Sequence, residues 1–274
     1  MNVSTLALHH LTVPDLGPVE AVQVAAEAGF RAVTVRLLPP APEDPPFALL
    51  DDEGLARRVL AASRETGVAV SEVDLVRLPA DDVGDRFARI VNRAASLGAR
   101  YLIAVGQSDD LPRIAAGLER LSDLAAPHGI SVLLEPVSWN PVRSIAQAAE
   151  VLGMAAQPKA GLLVDALHVC RMGESLDALA ALPRPWLQLA HLCDAPTEPV
   201  PVTDEARRVE ARTARLMPGE GSLNLIPWLA ALPSSIVLSV EIPNRRQLTE
   251  LTPSARALAA KRSADAVISR VRGF

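Results

Sequence analysis

Short runs of aliphatic and β-branched residues alternate with longer segments of helical periodicity along almost the whole chain. Apolar residues at helical spacing lie between the runs, as in Val83, Phe87, Ile90, Ala94 and Leu97 and in Ile114, Leu118, Leu121 and Ala125. Such alternation indicates parallel strands joined by helices that cover the sheet. The predicted strands are residues 4–8, 32–37, 69–76, 101–105, 131–137, 161–165, 187–191 and 236–241.

The number and spacing of these strands indicate one closed barrel. Most strand starts are roughly 30 residues apart, the length of one strand–helix unit. Several helical runs end in a glycine that suits the left-handed conformation after a helix: Gly29, Gly67, Gly98 and Gly129. Eight units predict an α/β fold, a single (β/α)8 TIM barrel spanning residues 1–274. The proline-rich segments 38–46 and 194–201 are then loops at the carboxyl ends of strands, where barrels place their active sites.

A doubly wound open sheet is the main alternative, because it has the same alternation. That fold usually carries a glycine-rich phosphate turn after its first strand. Here the first strand continues into HHLTVPDLGP, without GxGxxG or GxxxxGK[ST]. The missing turn and the eight strands favour the barrel.

Composition narrows the class of partner. The chain has 274 residues, 49% of them hydrophobic and 22% charged, which supports a large core. With 27 basic and 32 acidic residues the net charge is −5 and no basic run occurs, which argues against nucleic-acid and anionic-membrane partners. We expect a small-molecule partner.

Two cysteines, Cys170 and Cys193, are too few for a disulfide framework and form no CxxC pair. A reducing cytoplasm fits this usage, and we expect both side chains to be packed in the interior. The first residues lack a basic segment before an apolar run, and no apolar stretch of membrane-spanning length occurs. The sequence therefore predicts a cytoplasmic protein without a membrane span.

Four residues with metal-ligand chemistry end four consecutive predicted strands: Glu135, Asp165, His191 and Glu241. Each follows several apolar residues, so the strand would bring it to the same rim of the barrel. Three oxygen donors and one nitrogen donor suit one divalent ion, Mn²⁺, Mg²⁺, Co²⁺ or Zn²⁺. A single strand-end carboxylate is often a helix cap or ion-pair partner, and a single histidine is often a core residue. Four on successive strands favour a site.

The ordered motifs resemble the xylose isomerase-like TIM barrel superfamily of sugar isomerases and epimerases, which apurinic endonucleases share. The motifs are LLEP at Glu135, DxxH at Asp165 and His168, the strand end at His191 followed by Asp194, PGEG at 218–221, and SVEI at Glu241. The resemblance covers most of the chain. It implies that Glu135, Asp165, His191 and Glu241 bind one divalent metal and that His168 contacts substrate.

The resemblance further implies proton transfer next to a carbonyl, through a metal-stabilised enediolate. Glu135 and Glu241 would be the catalytic acid and base on either side of the acidic carbon. Further candidates for substrate binding are Trp139 after the fifth strand, Arg36 after the second, and His10 after the first. Adjacent strand residues alternate in direction, so only one of His9 and His10 can point inward. Glu72 and Asp74 on the third strand are weaker candidates.

Two positions depart from the keto-sugar epimerases of this superfamily. Pro141 stands where those enzymes carry another glutamate, and Thr197 stands where they carry an arginine. A simple ketohexose epimerase is therefore disfavoured. The arginines of the loop before PGEG offer a cation, but their spacing is more typical of a solvated helix: Arg207, Arg208, Arg212 and Arg215.

The leading functional hypothesis is a metal-dependent isomerase or epimerase of a sugar or related hydroxy-carbonyl compound. A metal-dependent dehydratase or lyase, like those of this superfamily that act on inososes or dehydroshikimate, is the close rival. An apurinic endonuclease is disfavoured because the chain has only five histidines and lacks an Asp-x-His after His191. A barrel that binds a ligand without turnover is a further alternative. No phosphate signature stands out, so an unphosphorylated substrate is preferred, and the resemblance leaves a homo-oligomer open.

Overall fold

A computed structural model of the protein describes residues 5–38, 48–79 and 85–272. Across these ranges, eight parallel strands close into a barrel in sequence order, and the eighth pairs with the first. The strands are β1 (Leu6–Leu8), β2 (Ala32–Arg36), β3 (Ala69–Leu78), β4 (Tyr101–Gly106), β5 (Ser131–Glu135), β6 (Gly161–Asp165), β7 (Leu187–Leu192) and β8 (Val237–Val240). This arrangement confirms the predicted (β/α)8 barrel, while Ser4 of the first predicted strand lies outside the described residues.

Helices follow the strands and cover the outside of the barrel. They are α1 (Pro18–Ala28), α2 (Glu53–Thr66), α3 (Arg86–Ser96), α4 (Leu111–Ala125), α5 (Ile145–Ala155), α6 (Ala166–Arg171), α7 (Leu176–Ala180), α8 (Asp204–Thr213), α9 (Leu225–Ala231), α10 (Arg245–Glu250) and α11 (Pro253–Arg272). Short 3-10 turns occupy His10–Thr12, Ala48–Leu50, Ala126–His128 and Arg184–Trp186.

The helical periodicity has the expected structural basis. The four predicted apolar positions of α4 are all buried, as are the predicted apolar positions of the α3 segment within the described residues. Val83 lies outside those residues. The glycines predicted to close helices all adopt positive φ: Gly29, Gly67, Gly98 and Gly129. A residue with a Cβ is strained in that conformation, so each glycine lets the chain turn directly into the next strand.

Apolar side chains form two layers, because successive strand residues point to opposite faces of the sheet. The larger layer lies between the strands and the helices. A small cluster fills the inside of the barrel: Tyr101, Ile103, Leu133, Leu163, Leu189 and Val237, with Leu75 packed against it. This inner plug closes the barrel below its carboxyl-terminal rim and supports the side chains of that rim.

No helix in the described ranges is both long enough and apolar enough to cross a bilayer.

Candidate metal centre and active site

The side chains of the predicted ligands point toward the barrel axis, as do those of the inner plug, and they lie directly above it at the rim. Along β5, β6 and β7, the inward residues Leu133, Leu163 and Leu189 are each followed two positions later by a predicted ligand. On β8 the inward series runs from Val237 through Ser239 to Glu241, just beyond the strand end. Because every second side chain of a strand points to the same face, the four predicted ligands lie above the inner plug. All four are buried: Glu135, Asp165, His191 and Glu241.

The described structure brings the four predicted ligands together. One ligand atom from each of Glu135, Asp165 and His191 lies within 4.8 Å of the others, and the same holds for Glu241 with His191 and His9. His191 is common to both groups. Its Nδ1 lies 2.8 Å from Glu241 Oε2 and 3.9 Å from Asp165 Oδ2.

The donor atoms fit a divalent ion. His191 Nδ1 and Glu241 Oε2 are fully buried, and neither has a hydrogen-bond partner within the described part of the chain. Two ligand atoms at about 2.0–2.2 Å from one ion lie roughly 3 Å apart at octahedral angles and about 3.4 Å apart at tetrahedral angles, and the 2.8 Å separation of these two atoms is close to the shorter value. Buried polar atoms that face each other without a hydrogen bond indicate a site for a cation.

Arg215 places a guanidinium beside the same carboxylates. Its Nη1 lies 2.6 Å from Asp165 Oδ2 and 3.1 Å from Glu241 Oε2, and its side chain is fixed by an Nε donation to the Ala211 carbonyl. Burial acts to raise the pKa of Asp165, but the charges of Arg215, His168 and His191, together with the hydrogen bond from Arg215, outweigh burial and lower the pKa. Asp165 is therefore ionised, and its other oxygen, Oδ1, accepts the backbone N–H of His168 at the start of α6.

Glu72 lies on the other side of the His191 ring, inside the barrel. Its Oε1 is 3.3 Å from His191 Nε2 and the side chain is completely buried. Burial raises the pKa of Glu72. The pKa of His191 is raised well above its usual value, because the carboxylates of Glu241 and Glu72 outweigh the opposing effect of burial. A carboxylate behind a metal-binding histidine is a common way of fixing its ring and tautomer.

Glu135 has the properties of a proton donor in the metal-free protein. Burial raises its pKa well above the usual range, and the negative charges of Asp165 and Glu241 add to the rise. His191 opposes the rise. Glu135 and Glu241 come from β5 and from just after β8, and both line one cavity at the barrel rim. The cavity therefore has a carboxyl group at each of two separated positions.

His168 and Trp139 line this cavity together. His168 Nε2 lies 4.0 Å from Glu135 Oε1, and its Nδ1 lies 3.2 Å from Ser138 Oγ. Burial lowers the pKa of His168 to about 4, although Asp165 acts in the opposite direction. The indole of Trp139 packs edge-on against the imidazole at a centroid distance of 5.0 Å. His168 is thus a neutral hydrogen-bonding group next to Glu135.

Arg36 also lines the cavity, whereas His10 is not one of its lining residues. His10 Nδ1 contacts Thr34 Oγ1 at 3.0 Å and its Nε2 lies 3.7 Å from Asp74 Oδ2, whereas His9 lines the cavity directly. His9 precedes the turn His10–Thr12 and caps it through its own Nδ1, which accepts the N–H of Leu11. This local turn decides which of the two histidines faces inward. Burial lowers the pKa of both histidines, with the other positive groups of the site contributing.

The PGEG motif has a structural role that the sequence did not reveal. Asp194, one residue after Cys193, accepts the backbone N–H groups of Ala195, Gly219 and Leu223. Gly219 has φ of +90°, and a Cβ on Gly221 would lie 2.2 Å from the Ala195 carbonyl oxygen. The two glycines let the loop approach Asp194, and Asp194 fastens it beside β7. Arg215 precedes this loop and is held through it.

Several weaker expectations are corrected. Arg215 is buried beyond the end of α8, and Arg212 lines the cavity, so neither belongs to a purely solvated face. Arg208 pairs with Glu205 on the helix surface, as a solvated face predicts. Cys193 is buried as expected, and burial raises the pKa of its thiol, but Cys170 is exposed. The sequence reasoning missed Arg77, which lines the cavity from β3.

Comparison with known proteins gives a consistent pattern. Residues 22–267 match the family model described as xylose isomerase-like TIM barrel. The chain is 27% identical over 205 residues to an inosose isomerase of Bacillus velezensis, covering 69% of each chain. It is 27% identical over 123 residues to a 3-dehydroshikimate dehydratase of Pseudomonas aeruginosa, covering 44% of this chain and 19% of that protein. A crystal structure of the IOLI protein with a bound zinc atom superposes with a TM-score of 0.80 at 22% identity, covering 97% and 99% of the two chains. The curated relatives are enzymes.

Proposed function

The chain belongs to the xylose isomerase-like TIM barrel family, and we propose that it is a metal-dependent isomerase or epimerase of a hydroxy-ketone related to sugars or cyclic polyols. The observation that carries this proposal is the buried cluster of Glu135, Asp165, His191 and Glu241, in which His191 Nδ1 and Glu241 Oε2 face each other without a hydrogen bond. Its relatives include an inosose isomerase, whose name indicates a cyclic polyol ketone as substrate.

Glu135, Asp165, His191 and Glu241 would hold one divalent ion, of the Mn²⁺, Mg²⁺, Co²⁺ or Zn²⁺ class. When bound, such an ion acts as a Lewis acid toward substrate oxygens and makes the carbon next to a carbonyl more acidic. The zinc of the IOLI structure supports this class of ligand chemistry. Asp165 is already ionised in the metal-free protein, because Arg215 lowers its pKa.

The protein's own residues would perform the proton transfer. A carboxylate near the acidic carbon removes its proton, and a second carboxyl group returns a proton to the product. Glu135 and Glu241 are placed for these two steps, since both line the cavity from different sides of the barrel. The neutral His168 would donate or accept a hydrogen bond at a substrate oxygen without adding charge. Trp139 would provide an apolar wall, and the apolar plug below would keep the reacting atoms at the rim.

A dehydratase acting on a cyclic or sugar-derived ketone is the second candidate. It is favoured by the similarity to a 3-dehydroshikimate dehydratase and by Pro141 and Thr197 at two positions where epimerases carry a glutamate and an arginine. Both reactions begin with removal of the same type of proton. They differ in the second step, since a dehydratase expels water and forms a conjugated product.

Exchange of the α-proton in deuterated water tests this function. The metal-loaded protein would be incubated with an inosose and with 3-dehydroshikimate, and exchange and product would be followed by proton NMR and ultraviolet absorption. We expect Glu135→Gln and Glu241→Gln to lower the exchange rate by roughly 10²- to 10⁴-fold. Glu210→Gln is the matched control, because Glu210 is also buried but pairs with Arg171 outside the cavity.

Metal content, measured by elemental mass spectrometry on protein purified without chelator, completes the test. We expect about one divalent ion per chain in the wild type and its loss in the Glu135→Gln, Glu241→Gln double variant. A new ultraviolet-absorbing product would select the dehydratase, and exchange without it would select the isomerase. Absence of both bound metal and exchange would overturn the enzymatic function.

A further inference from the structure

The hydroxyl group of Ser138 contacts the ring of His168 from behind, on the side away from the cavity. Ser138 follows the last residue of β5 by three positions, is only 1% exposed and is not among the described residues that line the cavity. Its Oγ lies 3.2 Å from His168 Nδ1, a buried contact between side chains 30 positions apart in the sequence. The proton transfer proposed for Glu135 and Glu241 does not use Ser138, and the motifs LLEP and DxxH do not include it.

A β-turn after β5 sets the position of this hydroxyl. The N–H of Asn140 donates to the carbonyl of Val137 at 2.8 Å, so Ser138 and Trp139 are the two central residues of the turn. Both central side chains contact His168, because the indole of Trp139 packs edge-on against the imidazole. The ring is therefore held by two neighbouring side chains of one hydrogen-bonded turn.

The two ring nitrogens of His168 have different surroundings. Nδ1 faces the Ser138 hydroxyl, whereas Nε2 lies 4.0 Å from Oε1 of Glu135, which lines the cavity. A separation of 4.0 Å is too long for a hydrogen bond, so this contact leaves Nε2 available to a ligand oxygen. The backbone N–H of His168 donates to Asp165 Oδ1 at 3.0 Å, which fixes the residue at the start of α6. One nitrogen thus faces the protein and the other faces the binding cavity.

Hydrogen-bond satisfaction indicates which nitrogen carries the proton. A neutral imidazole has one N–H donor and one acceptor nitrogen, and a serine hydroxyl can both donate and accept. Among the described residues, the Ser138 hydroxyl has His168 Nδ1 as its hydrogen-bond partner and no second one. If Nδ1 carried the proton and donated it to Ser138 Oγ, the buried hydroxyl hydrogen would have no acceptor, which is costly. If the hydroxyl donates to Nδ1 instead, its hydrogen is satisfied and the ring proton is on Nε2.

Glu135 favours the same tautomer. As a metal ligand Glu135 would be ionised, and an ionised carboxylate only accepts hydrogen bonds. Its negative charge attracts an N–H at Nε2 of His168 and repels the lone pair of a bare nitrogen at that position. The contacts at the two ends of the ring therefore agree.

We propose that Ser138 is a positioning residue that keeps the His168 proton on Nε2, so that His168 donates a hydrogen bond to the substrate oxygen next to Glu135. This inference rests on the proposed function for the identity of that oxygen. Removal of a proton next to a carbonyl leaves negative charge on the oxygen, and a donor that is already in place stabilises this charge more than it stabilises the neutral ketone. A neutral donor has this effect without adding a positive charge beside the predicted ligands.

Nitrogen NMR of the full-length protein tests the tautomer without any substrate. Long-range ¹H–¹⁵N correlation spectra of histidine-labelled protein distinguish a protonated ring nitrogen from a bare one. They would be recorded near neutral pH with and without Zn²⁺, and the His168 signals would be assigned by their absence in His168→Gln. Ser138→Ala removes the hydroxyl, and Ser138→Thr keeps it. Ser122→Ala is the matched control, because Ser122 is also buried but lies on α4 outside the cavity.

We expect wild-type His168 to be protonated at Nε2 and bare at Nδ1. Ser138→Ala should lower the ratio of this tautomer to the other by roughly threefold to tenfold, the effect of losing one neutral hydrogen bond. Ser138→Thr should keep the wild-type ratio, and Ser122→Ala should not change it. In α-proton exchange of the inosose or of 3-dehydroshikimate, Ser138→Ala should lower kcat by a similar factor and change KM less than twofold, because the donor acts mainly on the charge that develops during the reaction.

A proton on Nδ1 in the wild type, or the same tautomer ratio in Ser138→Ala as in the wild type or Ser122→Ala, would overturn the inference. An unchanged kcat in Ser138→Ala despite a changed tautomer would overturn the donor role of His168. If Ser138→Thr does not fold, the comparison of Ser138→Ala with Ser122→Ala decides.

These outcomes are separate from the fate of the proposed function. Probe exchange by a wild type whose His168 proton is on Nδ1 would refute the role of Ser138 and leave the isomerase intact. A proton on Nε2 that depends on Ser138, with no α-proton exchange of any probe, would refute the proposed function and leave the tautomer assignment intact.

Discussion

Replacing Glu72 by glutamine should weaken metal binding, although Glu72 is not one of the predicted ligands. Glu72 Oε1 lies 3.3 Å from His191 Nε2, whereas Nδ1 of the same ring faces Glu241 and Asp165. A carboxylate at Nε2 keeps the proton on that nitrogen and leaves the lone pair of Nδ1 for the ion. Glutamine keeps the volume of the side chain, so no cavity forms. Its amide lacks the charge, and it can offer an N–H that favours the opposite tautomer.

The magnitude is set by the burial of this contact. Hydrogen bonds to charged groups contribute about 1.5–3 kcal/mol and neutral ones about 0.5–1.5 kcal/mol. The difference, about 1.5 kcal/mol, corresponds to roughly a tenfold weaker metal affinity. Glu72 is completely buried, so solvent screening does not reduce this effect. Partners behind metal-binding histidines commonly change affinity by about 10- to 100-fold.

The assay is calorimetric titration of chelator-treated protein with Zn²⁺, together with the visible spectrum of the Co²⁺ form as a measure of ligand geometry. Glu210→Gln removes a buried carboxylate of the same type outside the cavity and should leave both readouts unchanged. Glu241→Gln removes a predicted ligand and should have a larger effect than Glu72→Gln. Wild-type affinity and an unaltered Co²⁺ spectrum in Glu72→Gln would refute the argument.

Three further predictions concern the same site. Metal binding near neutral pH should release protons and strengthen as pH rises, because Glu135 and His191 have raised pKa values in the metal-free protein. Calorimetric titration in buffers of different ionisation enthalpy measures this proton release, and a binding enthalpy that does not depend on the buffer would contradict the prediction. Arg215→Gln should lower the thermal midpoint of the metal-free protein by an amount corresponding to about 3–5 kcal/mol, because it leaves Asp165 and Glu241 without their buried counter-charge. Added Zn²⁺ should recover part of this loss in a thermal-shift assay, and an unchanged midpoint of the metal-free variant would refute the account. Asp194→Ala should lower the free energy of unfolding by about 3 kcal/mol, because three backbone N–H groups, two of them buried, lose their acceptor. Urea denaturation measures this free energy, and a loss below about 0.5 kcal/mol would contradict the role of Asp194.

Local periodicity was sufficient to predict the barrel and to place the four side chains predicted as ligands at one rim. A strand buried on both faces leaves few polar positions, so a carboxylate or imidazole at the end of such a strand is conspicuous. The inward direction of Glu135 and Asp165 agrees with that of the residues two positions earlier, Leu133 and Leu163. Periodicity defines strand ends less sharply, and the predicted strand ends differ from the observed ones mostly by one or two residues.

The parts of the site that sequence reasoning missed depend on where regular structure ends. Arg212 and Arg215 continue a helical spacing, but α8 ends at Thr213, and Leu216 pairs with Asp194 across the loop. That long-range pairing turns Arg215 into the interior, and no local pattern reveals it. On β3 the register shifts between Val73 and Val76, so simple alternation does not predict which neighbouring residues reach the cavity.

The cavity lining connects the residues that sequence reasoning missed with the chemistry. The predicted metal ligands would form a centre with any ketone that has a neighbouring hydroxyl group, so they set the reaction type but not the substrate. Selectivity must come from groups that contact the rest of the substrate, and the other side chains of the described cavity lining, among them Arg36, His168 and Trp139, are placed for such contacts. A substrate bound in this cavity would have one carbon facing Glu135 and Glu241. Whether that carbon regains its proton or a neighbouring hydroxyl is expelled would then depend on the substituent next to it, which the other lining residues would position.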